Sequence, residues 1–283
     1  MTATLVTPTV SGGTATLPVR RTSRRKDVVV MVRRNVLRIL REPMQLSDVT
    51  IQPVLFTLLF VYVFGSSMVL PDGGSYKQYA IAGLLAMNLT TSSVGTAIGL
   101  TSDMSTGVLD RFGTLPMWHA SVLVGRSVAD LIAALLCSTF VVTTGLVIGW
   151  RPDGPLQIVA GVALALLFSY GLSWACACLG LVSSNPESAQ AVAFIVMFPI
   201  AFISNAFTPT NGMPAWLRTI ADWNPVSAVA SACRELFGDP NPAAASDAWP
   251  MQHPIAASLL WSIAIIAVFA PLAVRLLRRR LTD

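Results

Sequence analysis

PLQIVAGVALALLFSYGLSWACACLGLVS, residues 155–183, runs for 29 residues without a charged side chain. A hydrocarbon core about 30 Å thick is crossed by roughly 20 helical residues, so this stretch is long enough to span it. As strands it would leave backbone N–H and C=O groups unpaired in lipid, whereas a helix satisfies them within the segment. Five other stretches have the same character: 49–70, 78–101, 123–149, 188–208 and 255–275. The expected fold is an all-α integral membrane protein with six transmembrane helices, spanning 43–276. Composition agrees, with 54% of the 283 residues hydrophobic and 12% charged, where soluble domains average about 25% charged.

The net charge of +5 comes from 17 Arg and 2 Lys against 14 acidic residues. Fifteen of those 19 basic residues lie before the first span, around the loop between the second and third, or after the last; only Lys77, Arg151, Arg218 and Arg234 fall on the other face. The positive-inside rule then places both termini in the cytoplasm, and this distribution suits a membrane surface and not a nucleic acid. Trp150, Trp216, Trp223 and Trp249 are expected at the outer interface, where indole rings settle. Residues 1–25 lack the apolar core of a secretory or twin-arginine signal and read as a disordered cytoplasmic tail; residues 277–283 form a cytoplasmic C-terminus. Between them, 26–42 reads as an amphipathic interfacial helix. Val29, Val32, Val36, Ile39 and Leu40 share one face, and Arg34, Arg38 and Arg41 lie opposite to meet anionic headgroups. The alternative is a basic stretch that merely retains the N-terminus inside.

The chain carries no phosphate-binding glycine loop, since neither lysine follows a glycine-rich run. It is not expected to bind ATP or to be an enzyme by itself. Four Cys and two His show no metal-ligand spacing, so no metal is expected, and the cysteines read as small packing residues. Mid-membrane carboxylate relays and an inverted repeat, both common in ion-driven transporters, are missing from the pattern. Arg126 and Asp130, four apart on the third span, can pair on one helical face. Energy for any transport must therefore enter from outside, and the cytoplasmic loop DMSTGVLDRFGTLP, 103–116, offers a handle. Val108, Leu109, Phe112 and Leu115 can form an apolar patch on a short helix ended by Pro116, with Asp103, Asp110 and Arg111 as polar contacts. The bland reading is an ordinary solvated loop.

The second span is the most polar. Its Asn88, Thr91, Ser92 and Ser93 either line a substrate path or serve packing and dimerisation, and Gly95-x-x-x-Gly99 suits close helix approach. On the fifth span, beyond and around a kink expected at Pro199, Met197, Phe198, Phe202 and Asn205 offer a soft wall and a buried amide for a solute, or plain core. Arg218, Asp222, Arg234 and Glu235 fall near the outer surface, where pairing or capping competes with gating.

The stretch 103–131 resembles ABC-2 type transporter permeases of the daunorubicin-resistance branch. Asp103, Gly107, Asp110, Arg111, Phe112, Leu115, Pro116, Gly125, Arg126 and Asp130 carry the likeness. A second stretch, 204–236, resembles the same family through Phe207, Pro209, Met213, Pro214, Trp216, Leu217, Asn224, Pro225 and Arg234. Gly113 departs from the pattern, because relatives often have a basic residue in this region. The resemblance implies a type V exporter-like permease fold in a bacterial inner membrane, with a coupling helix at 103–116 and short outer re-entrant helices at 213–222 and 226–237. It also implies a second permease copy, most simply a homodimer, and two copies of a separate ABC ATPase subunit that bind ATP and Mg and dock on Asp103, Gly107, Leu109, Asp110, Arg111, Phe112, Leu115 and Pro116. Pro214, Trp216, Asn224, Pro225 and Arg234 would form an outer gate. The expected function is outward export of a hydrophobic or amphipathic drug or natural product. Export of a lipid or lipid-linked saccharide is the alternative, and a non-transporting scaffold that recruits a cytoplasmic protein is a reading of another class.

Overall fold

A computed structural model describes residues 24–65, 68, 70, 74–109, 118 and 120–282, and every regular element among them is helical. In chain order these are α1 (Arg24–Arg41), α2 (Pro43–Leu59, prolonged by a wide turn Phe60–Phe64), α3 (Tyr76–Ser92), α4 (Val94–Ser105), α5 (Ala120–Val147), α6 (Pro155–Val182), α7 (Pro186–Phe202), α8 (Ala215–Asp222), α9 (Pro225–Phe237), α10 (Trp249–Gln252) and α11 (Pro254–Thr282). Five segments are long and apolar enough to cross a bilayer: Pro43–Phe64, Tyr76–Ser105, Ala120–Val147, Pro155–Val182 and Pro254–Arg280. The chain is thus a multi-pass membrane protein.

Two expected spans differ from their forecast. The fifth, 188–208, is α7, a shorter apolar helix of 17 residues, about 26 Å at 1.5 Å per residue and at the lower end of the length that crosses a bilayer. It opens on a capping box, where Asn185 accepts from the Ser188 N–H at 2.7 Å. It closes just after Pro199, and Ile203 has left helical geometry at φ −84°, ψ 59°. The second span is two helices that break at Ser93. Hydroxyls crowd this point: Ser92 donates to the Asn88 carbonyl at 2.6 Å and Ser93 to Leu89 at 3.0 Å. Such local bonds compete with the helical ladder.

The α3–α4 segment and α6 are central, with 72% and 67% of their apolar windows buried, against 17–28% for α2, α5 and α11. In lipid the drive for such packing is close contact and not exclusion of water, so small residues mark the contacts. At Gly125 a Cβ would lie 2.3 Å from the Met31 Cβ, which is how α1 comes close against α5. Asp27, Met31 and Asn35, spaced one helical turn apart, form the buried stripe of α1, while Val29 and Leu40 remain exposed. Of the arginines expected to meet headgroups, two are engaged within the chain instead. Arg34 and Arg38 pair with Asp103 at the end of α4, because a poorly solvated carboxylate there offers a stronger partner than a screened headgroup.

Trp150 is corrected as well. Expected at the outer interface, it is fully buried, edge-on to Phe237 at a ring separation of 5.1 Å, and its indole N–H donates to Asp239 at 2.9 Å. A buried partner for the N–H removes the reason for an indole to seek the interface. Trp216, Trp223 and Trp249 stay exposed. At the opposite end α11 continues to Thr282, past the expected boundary at 276, and Leu277 joins a cluster with Leu109, Leu123, Trp174 and Leu181.

Candidate functional site

The 103–116 loop begins inside a helix. Asp103 lies in the last turn of α4, which ends at Ser105. Gly107 follows at φ +66°, a left-handed conformation favourable only without a Cβ, and so turns the chain out of the helix. Asp103, expected as a polar contact for a partner, is paired within the chain. Arg34 donates to its Oδ2, and Arg38 Nη1 donates to Oδ1 at 3.1 Å. Leu109, forecast as part of an apolar docking patch, is 3% exposed and belongs to a buried cluster with Leu100, Val122 and Leu181. Asp110, Arg111, Phe112, Leu115 and Pro116 lie outside the described residues. Beyond them the Trp118 backbone N–H donates to the Asp27 carboxylate at 3.1 Å. Both ends of the loop are thus tied to α1, at points seven residues or about 10 Å apart along its axis. The sequence held a faint sign of this brace: two arginines at i, i+4 on α1 and one acidic residue at the loop entrance.

Next to the brace, a cavity of about 510 Å³ opens where α3 meets α4. Asn88, Thr91, Ser92 and Ser93, four of the predicted path residues, all line it. They are joined by residues the sequence reading did not single out, among them Gln45, Asp48 and Gln52 from α2 and Gln190 from α7. Their chemistry is mixed: amides and hydroxyls alternate with Ile98, Tyr170 and Phe194, which suits an amphipathic occupant. Arg126 and Asp130 also line it and pair at 3.2 Å, as their spacing predicted.

The other four predicted path residues lie elsewhere. Met197 is core, and Phe198 and Phe202 stack on each other at 4.2 Å on an outward face where they are 49% and 42% exposed. Asn205 is fully buried and bonded, its amide donating to Ser231 Oγ at 2.7 Å. None of the four borders the cavity.

Asn205 instead belongs to a polar hub away from the brace, centred on Arg234. Forecast as a surface residue, Arg234 is fully buried. Its Nε donates to the Tyr79 carbonyl at 3.1 Å, Nη1 to Asn205 Oδ1 at 3.2 Å, and Nη2 to the carbonyls of Asn205 and Ala206 at 2.8 and 3.2 Å. The guanidinium also lies 3.8 Å from the centre of the Tyr79 ring. Segment 204–207 leaves α7 with unpaired carbonyls deep in the fold, and a five-donor fork satisfies several of them at once. Asn224 performs the same service one turn away, its amide donating to the carbonyls of Ile200 at 2.6 Å and Ile203 at 2.5 Å, while its oxygen caps α9 at Val226. Pro214 and Pro225 stand at the starts of α8 and α9, and Trp216 is exposed. Asp222 takes the pairing role, accepting from Thr210 at 3.0 Å and Ser246 at 2.7 Å with Arg218 3.7 Å away.

Beside this hub, burial pushes the Asp239 carboxyl up to about 7, against the pull of the Trp150 N–H and Arg234, with Asp153 adding to the rise. A carboxyl raised in the folded state contributes stability that is full below its unfolded value and is lost as pH rises through the folded one. The thermal midpoint of the purified protein in detergent is therefore expected to fall as pH rises from about 4 to about 7 and to level off above, and Asp239→Asn to flatten that slope. An unchanged slope in the variant would remove Asp239 as its cause.

The sequence matches the ABC-2 type transporter family over residues 26–237. It is 35% identical over 239 residues to a daunorubicin resistance ABC transporter permease protein of Streptomyces coeruleorubidus, covering 84% of this chain and 81% of the relative. It is 25% identical over 253 residues to a probable doxorubicin resistance ABC transporter permease protein of Mycobacterium tuberculosis, covering 88% and 87%. A putative transport permease of Pyropia yezoensis is 26% identical over 221 residues, covering 76% and 75%. With the family match extending from the braced α1 through the Arg234 hub on α9, this chain belongs to the ABC-2 type transporter family.

Proposed function

We propose that this chain is the membrane-spanning permease subunit of a bacterial drug exporter, moving an amphipathic compound outward with energy from ATP hydrolysed by a separate ABC ATPase subunit. The carrying observation is the cavity of about 510 Å³, polar along Asn88, Thr91 and Ser92 and bordered by Arg38 and Ser102 next to the brace. The relatives named for daunorubicin and doxorubicin resistance support the substrate class. Two ATPase copies would dock on the loop at 103–116, and a second copy of this chain would complete the pathway. Both termini would be cytoplasmic, in the plasma membrane, as the clustering of Arg275, Arg278, Arg279 and Arg280 with the α1 arginines on one side suggests. Closure of the ATPases would pull on the loop, and α4 with α1 would carry that displacement to the cavity as the spans rock between inward- and outward-facing arrangements.

The test is co-expression with a candidate ATPase subunit in a drug-sensitive host. ATP-dependent efflux of doxorubicin that requires both subunits is the expected result. Stimulation of ATPase activity by lipid extract and not by a drug panel would assign the cavity to a lipid. Recruitment of a cytoplasmic protein with no efflux of either kind would favour a scaffold.

A further inference from the structure

The glycine pair on α4 does something other than bring two helices together. A Cβ at Gly95 would meet nothing within 4 Å, while one at Gly99 would lie 2.2 Å from Arg126 Nη1 and 2.3 Å from Nη2. Gly99 is therefore the slot that admits the Arg126 guanidinium from α5. Seated there, the side chain commits two of its three nitrogens: Nε donates to Asp130 at 3.3 Å and Nη2 to the Gly95 carbonyl at 2.7 Å. Thr96 donates to the same Asp130 at 2.6 Å, so α4 is held to α5 within its first turn, two residues past the break at Ser93. Nη1 makes no hydrogen bond to any described residue, and Arg126 lines the cavity.

We propose that Arg126 is a specificity-determining residue of the permease, which binds an acceptor oxygen of the cavity's occupant through Nη1 while its Nη2 holds the first turn of α4 and its Nε is held by Asp130 on α5. This rests on the permease reading and adds the ligand chemistry: an amphiphile bearing a carbonyl, phenolate or other acceptor oxygen. The arrangement also joins cavity and handle, because α4 runs from the Arg126 contact at Gly95 to the Asp103 brace. An occupant that draws the guanidinium toward itself loosens the first turn of α4, and a pull on the loop end of α4 shifts the guanidinium in the cavity. A lysine keeps the charge that neutralises Asp130 but has no planar fork to serve three acceptors in fixed directions. Paired neutralisation alone is therefore separable from recognition.

The experiment uses inside-out proteoliposomes holding the permease with its ATPase, with doxorubicin as the probe, and reads the half-saturating drug concentration and the drug moved per ATP. Arg126→Lys is expected to raise half-saturation by about tenfold, the loss of one hydrogen bond from a charged donor, and to lower drug moved per ATP. Gly99→Ala is expected to do the same with the arginine still present, because the atoms nearest the added methyl belong to the end of that side chain, which must give way. Both variants within twofold of the parent on both readouts would overturn the inference and leave Arg126 as a counter-ion. Parent vesicles that accumulate no doxorubicin with ATP would remove the permease reading itself and this inference with it.

Discussion

Replacing Arg234 with methionine is expected to cost on the order of 4 kcal/mol of stability, because a buried donor to charged-type hydrogen bonds is lost and its acceptors stay buried. Four acceptor atoms lose a partner: the carbonyls of Tyr79, Asn205 and Ala206 and the Asn205 side-chain oxygen. Methionine fills the volume but supplies no donor. The Asn205 carbonyl keeps one bond, from the Tyr79 hydroxyl at 2.5 Å, so the loss falls short of four independent terms. The Tyr79 ring loses its cation as well. A fall of about 10 °C in the thermal midpoint of the detergent-solubilised protein is the expected reading. Arg234→Lys is expected to recover less than half of it, since an ammonium cannot reach α3 and the 205–206 carbonyls together. A methionine variant that melts with the parent would show that those carbonyls find other donors.

The second large effect is expected at the brace. Asp103→Arg places a third cation against Arg34 and Arg38, whose guanidinium groups now share the Asp103 carboxylate. Like charges at that spacing repel, and the loop entrance leaves α1. Export is expected to fall by more than about tenfold, equivalent to the loss of a charge-assisted bond worth at least ~1.4 kcal/mol. Membrane insertion should persist, because Asp103 lies at the end of a helix and not in the middle of a span. Combining Asp103→Arg with Arg34→Asp and Arg38→Asp restores opposite charges and is expected to recover part of the export. Lack of any recovery, with all proteins equally abundant, would assign Asp103 a role other than holding α1.

The spans were legible because a bilayer demands length and apolarity, and both are properties of a segment read by itself. α6 and α11 illustrate this, for each is one long apolar run. The break at Ser93 was less legible: the hydroxyls were visible, but whether a serine bonds its own helix or a neighbour depends on what packs there, as with Ser169 on α6. Arg234 and Trp150 were misplaced for a common reason. Their sequence neighbourhoods are polar and turn-rich, and only the fold brings the 205–206 carbonyls and Asp239 to them. The cavity was half legible. Asn88, Thr91, Ser92 and Ser93 announced themselves by clustering in an apolar span, whereas Gln190 and Asp48 are ordinary polar residues at helix ends. Gly95 and Gly99 carried a familiar spacing for helix contact, and the partner that fills the slot is a guanidinium from another helix.

The central claim is that this chain is a conduit with no ATP site, driven through its braced cytoplasmic loop. It is tested most directly by reconstituting the purified permease in proteoliposomes with and without its ATPase and following ATP hydrolysis and doxorubicin uptake together. The account predicts neither activity from the permease alone, and both when the ATPase is added, with uptake lost in the Asp103→Arg variant. ATP-driven uptake by the permease alone, or full uptake by the Asp103→Arg variant, would contradict it.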